Sequence, residues 1–167
     1  MNFVLWPFLY LGFAAVHWFF GQYLAFFGSA PSVMFAATVA CAIICSPVHA
    51  MIFGFLAGLF ADFMAIHLFG GYALLFVLTA YLIWFAKTRI DFETPPTQFL
   101  LGAALTLLYM LGYMAEGALF LDRAFPVSWR MLLLTPVYNG LLCVVAFPFF
   151  LLFRPARRVS SGSLLGR

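Results

Sequence analysis

Between residues 3 and 86 the chain is a succession of apolar runs broken only by short glycine, serine and proline clusters, and Asp62 is its single Asp, Glu, Lys or Arg there. A stretch of this kind has no polar face to turn toward water, so the bilayer must serve as its solvent. The remainder agrees: 66% of the 167 residues are hydrophobic and 8% are charged, where soluble domains have about 45–50% and ~25%. Mean hydropathy is +1.11. A spanning helix takes about 20 mostly apolar residues, so this length holds six with short connections and leaves no room for an extramembrane enzyme domain.

The first run, 3–27, lacks the basic flank and small-residue cleavage site of a signal peptide and reads as a retained helix. Gly28-Ser29-Ala30-Pro31-Ser32 ends it. The second run, 33–45, is short for a span and implies a tilted or incomplete helix. Ser46-Pro47 stops it, with the proline suited to the first turn of a third helix over 47–69. Gly70-Gly71 separates that helix from a fourth at 72–86. The polar loop from Lys87 to Pro96 precedes a fifth helix at 97–121, and a loop from Asp122 to Trp129 precedes a sixth at 130–153. The expected fold is therefore all-α: a polytopic bundle of about six transmembrane helices forming one domain over 1–153. A basic, disordered tail over 154–167 carries Arg154, Arg157, Arg158 and Arg167. Basic flanks mark the cytoplasmic side. A cytoplasmic tail places the loop with Lys87 and Arg89 on the same side, two helices away, and six helices bring the N-terminus there too.

An ionised group in the bilayer core costs roughly 2.5–3.5 kcal/mol on insertion scales, so each one is a candidate for function. Two qualify, Asp62 in the third helix and Glu116 in the second half of the fifth, toward the outer interface. Gly54, Gly58 and Asp62 are spaced four apart and form one stripe, in which Gly54-Xaa3-Gly58 permits close backbone approach by a neighbouring helix. Such an approach would bury Asp62 between helices, either as a structural polar contact or as a proton- or ligand-coupled group. Asn139, within Tyr138-Asn139-Gly140, is the polar point of the sixth helix and a candidate partner for Asp62 or Glu116. Pro136 and Pro148 in the same helix imply kinks and freed carbonyls.

Other chemistry finds little support. His17, His49 and His67 have no metal-ligand spacing, and Cys41, Cys45 and Cys143 form no CxxC pair, so they read as buried thiols. Trp6, Trp18, Trp84 and Trp129 suit interfacial anchors better than a cofactor box. The formal charge of +3 lies mainly in the tail and gives no nucleic-acid footprint. No serine nucleophile lies in a Gly-x-Ser-x-Gly context. Asp62 and Asp122 could suggest the aspartyl lipoprotein signal peptidases, but Asp122 adjoins Arg123 outside the apolar runs and that family's Asn and Gly pattern is missing. No catalytic residue, metal or cofactor is expected.

The segment Phe53-Gly54-Phe55-Leu56-Ala57-Gly58-Leu59-Phe60-Ala61-Asp62, continuing through Gly70 to Tyr72-Ala73-Leu74, resembles the signature of the MreD family: glycine, then Gly-Leu-x-x-Asp, then a glycine opening the next helix. Pro31-Ser32 stands where the family often has Pro-Asp. The resemblance implies a non-enzymatic scaffold of the bacterial inner membrane. It would work with MreC, a single-span periplasmic protein, and with MreB, RodA and a class B penicillin-binding protein in peptidoglycan elongation. It also implies a six-helix arrangement similar to the substrate-binding components of energy-coupling-factor transporters, with Gly54, Gly58, Asp62 and Gly70 holding the bundle and a lipid-facing groove receiving the MreC helix. The rival reading is a vitamin-importer subunit whose outward pocket would be lined by Asp62, Glu116 or Asn139.

Overall fold

The computed structural model describes residues 5–23, 31–64, 69–87, 89, 90, 92, 94–120 and 128–151. Six helices account for most of them: α1 (Leu5–Tyr23), α2 (Val33–Ile44), α3 (Pro47–Met64), α4 (Gly71–Ala86), α5 (Pro95–Phe120) and α6 (Trp129–Leu151). His67, Asp122, the tail from Arg154 and the side chain of Trp6 lie outside the described residues. The helix starts follow the breakers. Ser32 caps α2, its Oγ accepting from the Phe35 N–H at 3.4 Å, and Pro47 occupies the first position of α3, where its missing N–H has no intrahelical partner to lose. The chain continues as one helix through Pro136 and Pro148 in α6.

By length and apolarity α3, α5 and α6 suffice to cross a membrane, whereas α2, α4 and the segment Pro7–Gly21 of α1 are shorter apolar helices. The protein is thus a multi-pass membrane protein. The second helix is short, as its sequence implies. Its twelve residues rise ~18 Å, well under the ~30 Å of a hydrocarbon core. Breakers at both ends set that length, and burial makes it tolerable. Every residue from Val33 to Ile43 is buried, and α2 packs against α1, α3, α4 and α6. Its alanines and Cys41 allow this crowding, because small side chains let backbones come close where the bilayer supplies no hydrophobic drive between helices. Thr38 fits the same apolar helix because its hydroxyl donates to the Met34 carbonyl at 2.9 Å.

Around this central helix α3 packs most extensively on α4, and α5 on α6. The α5–α6 crossing is close because glycine stands on both sides. A Cβ at Gly102 would meet Cys143 Sγ at 2.6 Å, and one at Gly140 would meet the Phe99 carbonyl oxygen at 2.9 Å. The first helix, α1, sits at the periphery and is tied down by the Tyr10 hydroxyl, which donates to the Leu56 carbonyl at 2.8 Å, and by Phe13 stacked on Phe150. Outward-facing Trp18, Leu74, Leu108 and Leu133 belong to a surface that hydrocarbon wets.

Candidate functional site

The stripe Gly54, Gly58, Asp62 faces α4: Gly54 meets it at Phe76, and Gly58 and Asp62 both meet it at Tyr72 and Ala73. At Gly54 a Cβ would lie 3.1 Å from the Phe76 carbonyl oxygen and 3.1 Å from Thr38 Cγ2 of α2. At Gly58 the approach is tighter: a Cβ there would overlap Ala73 Cα and stand 2.5 Å from Ala73 N and 2.6 Å from the Tyr72 carbonyl oxygen. These are backbone atoms, so no side-chain rotation relieves the contact. One turn further on, Asp62 is 6% exposed. Its Oδ1 accepts from the Tyr72 N–H at 3.0 Å and its Oδ2 from the Ala73 N–H at 3.2 Å.

This pairing solves a local problem. The first N–H groups of a helix have no intrahelical acceptor, and the residue before α4 is Gly70, whose φ of 98° is left-handed and which has no side chain to cap with. The glycine turn that lets the chain reverse after α3 removes the usual local cap, and Asp62 supplies it from the neighbouring helix. The negative carboxylate also lies at the positive end of the α4 dipole.

A second carboxylate reaches the same place from α5. A Cβ at Gly71 would overlap Glu116 Oε2 and lie 3.3 Å from Glu116 Cδ, so the half-buried Glu116 rests against the first residue of α4. Tyr109, Gly112, Tyr113 and Glu116 share one face of α5 at spacings of three and four. Gly112 admits Leu75 of α4, whose Cδ2 would stand 2.5 Å from a Cβ. The Tyr72 ring stacks on Tyr113 with centroids 5.6 Å apart, and lies 5.6 Å from Tyr109. The start of α4 therefore donates two hydrogen bonds to Asp62 of α3, touches Glu116 of α5, and sets Tyr72 stacked on Tyr113 and tilted against Tyr109.

Asn139 lies elsewhere. Its Oδ1 accepts the Ser32 N–H at 2.9 Å, so it serves the start of α2 and pairs with neither Asp62 nor Glu116, a correction to the sequence expectation. The physical reason is the same orphan-donor problem at another helix start. At the opposite end, Lys87 Nζ donates to the Ala42 and Cys45 carbonyls at 3.1 and 3.5 Å, placing a cation at the negative end of α2. Asn139→Ala should cost about 1 kcal/mol, because the part-buried Ser32 N–H would lose its acceptor, whereas Asn139→Asp keeps the acceptor. Thermal unfolding in detergent measures this, and an unchanged midpoint for the alanine variant would refute the assignment.

The family model described as rod shape-determining protein MreD matches residues 1–155. The chain belongs to the MreD family. No curated protein and no solved structure matches it. The segment with the family-like pattern, from Gly54 to Leu74, is the one that builds the α3–α4 junction in this MreD-family chain. The tyrosine face of α5 has a sequence signal too, in the three- and four-residue spacing of residues 109, 112, 113 and 116, but aromatic residues are so frequent here that the spacing does not stand out. Among the described residues no three His, Cys, Asp or Glu come together to hold a metal ion. His17 packs its ring on Phe60, and Nδ1 of His49 lies 2.6 Å from Ser46 Oγ.

Proposed function

We propose that this MreD-family chain is a non-enzymatic membrane scaffold of the rod complex, which packs the transmembrane segment of MreC against its helices and helps organise peptidoglycan synthesis. Membership in a family of rod shape-determining proteins sets the process, and that family is not a known enzyme family. The observation that carries the scaffold reading is the use made of Asp62. Both of its oxygens are engaged by the backbone N–H groups of Tyr72 and Ala73, so the charge in the apolar half of the chain stabilises a helix junction. The partner helix would lie on the broad apolar exterior, with RodA, a class B penicillin-binding protein and MreB as further members of the assembly. Under this reading the domain spans 1–153 in the bacterial inner membrane, and both termini, including the basic 154–167 tail, are cytoplasmic.

The vitamin-importer alternative requires a pocket with converging donors and acceptors to orient a hydrophilic ligand. The described polar contacts lie at separate helix ends and do not converge: Asp62 accepts from the start of α4, Asn139 Oδ1 from the start of α2, and Lys87 donates to the end of α2. The test is to extract tagged protein from native membranes in mild detergent and identify by mass spectrometry what accompanies it. Recovery of MreC, with or without the elongation synthase, is expected. Recovery of an ATPase module with its coupling subunit, or of no rod-complex member, would overturn the proposal.

A further inference from the structure

The end of α2 carries two thiols on one face. Cys41 and Cys45 stand four residues apart, the Cys45 N–H donates to the Cys41 carbonyl at 2.8 Å, and the two thiols hydrogen-bond to each other. Cys41 is buried and Cys45, at the helix end, is half-buried. A cation stands beside them. The Lys87 ammonium acts on both sulfurs and is held at this helix end by the Ala42 and Cys45 carbonyls, at 3.1 and 3.5 Å.

We propose that Cys41 and Cys45 form a two-thiolate site for a soft monovalent metal ion, Cu(I). A separation of four is the one at which a single helix presents two ligands to one metal. A disulfide does not fit this pair. Side chains so spaced have Cβ atoms ~5–6 Å apart, beyond the ~3.5–4.5 Å a disulfide needs. An interposed ion does fit, because two metal–thiolate bonds of about 2.3 Å span up to ~4.6 Å between sulfurs. Structural zinc takes four ligands, and among the described residues no third His, Cys, Asp or Glu completes a metal-binding group. Thiolates favour Cu(I), a closed-shell ion that two of them satisfy in line. Binding exchanges two S–H bonds for two S–Cu bonds, releases both protons to solvent and leaves a singly negative complex. That charge is costly at an apolar helix end unless it is paired, and Lys87 supplies the opposite sign. The half-buried Cys45 is the point of entry.

The test is an anaerobic titration of the full chain, in mild detergent, with Cu(I) held by a competing chromogenic chelator. Wild type should take one Cu(I) per chain. Cys41→Ser and Cys45→Ser should each bind at least about a hundredfold more weakly, and Lys87→Met about tenfold more weakly. Cys143→Ala is the control, since Cys143 sits apart in α6 against Gly102 of α5, and it should bind like wild type. If Cys41→Ser fails to fold, Cys45→Ser at the half-buried position decides alone. Wild-type binding by Cys45→Ser, or no Cu(I) taken from the chelator by wild type, overturns the proposal. A stoichiometry of one ion per two chains also overturns it, because the ion would then bridge two copies rather than the two thiols of one helix.

Discussion

Gly58→Leu is expected to destabilise the bundle severely and to cut the yield of folded protein. Even the first added carbon would overlap Ala73 Cα and crowd Ala73 N and the Tyr72 carbonyl, and these atoms belong to the first turn of α4. Ordinary overpacking costs about 1–3 kcal/mol because side chains can shift. Here relief requires α4 to move away from α3, which would also pull the Tyr72 and Ala73 N–H groups off Asp62. The two losses are coupled, so the combined effect should exceed ~3 kcal/mol, a large part of a typical 5–15 kcal/mol stability. Yield of monodisperse protein in detergent and its unfolding midpoint measure this. Gly12→Leu is the control, since its Cβ enters open space. Wild-type yield and midpoint for Gly58→Leu would show that α3 and α4 do not approach as described.

The helices were largely legible because their punctuation is chemical. Gly70-Gly71, Ser46-Pro47 and Pro31-Ser32 are breakers for local backbone reasons, and the observed helix starts at Val33, Pro47 and Gly71 follow them. The position of α2 was not legible. Its sequence is apolar on every side, which fits either a lipid-exposed span or a buried core helix, and only the packing of four neighbours distinguishes them. Four-residue spacing placed Gly54, Gly58 and Asp62 on one face, but spacing cannot name the neighbour. That Asp62 serves α4 depends on Gly70, whose left-handed turn leaves a helix start without its own cap. Asn139 shows the limit clearly. An Asn in an apolar helix needs a partner, and the sequence offered two carboxylates, while the partner was a backbone N–H at Ser32.

Asp62→Ala should be nearly as damaging as Gly58→Leu, and Asp62→Asn distinguishes the two roles a buried carboxylate can have. With alanine, the Tyr72 and Ala73 N–H groups lose their acceptors at a site where Asp62 was 6% exposed. Each orphaned donor costs about 1–3 kcal/mol, which makes a loss of roughly 2–6 kcal/mol. Asparagine keeps one acceptor oxygen, but its NH₂ group would face the other N–H donor, so one bond survives and about half the loss is expected. If Asp62 is a helix cap, unfolding midpoint and cell-shape complementation should fall together through the order wild type, Asp62→Asn, Asp62→Ala. A proton- or ligand-coupled carboxylate behaves otherwise: Asp62→Asn would keep the stability of wild type and lose function. Measuring the midpoint in detergent beside complementation of a rod-shaped host lacking its own MreD decides between them. The cap geometry predicts that no variant at this position separates stability from function. A stable but inactive Asp62→Asn protein would move Asp62 from the architecture of the bundle to its mechanism.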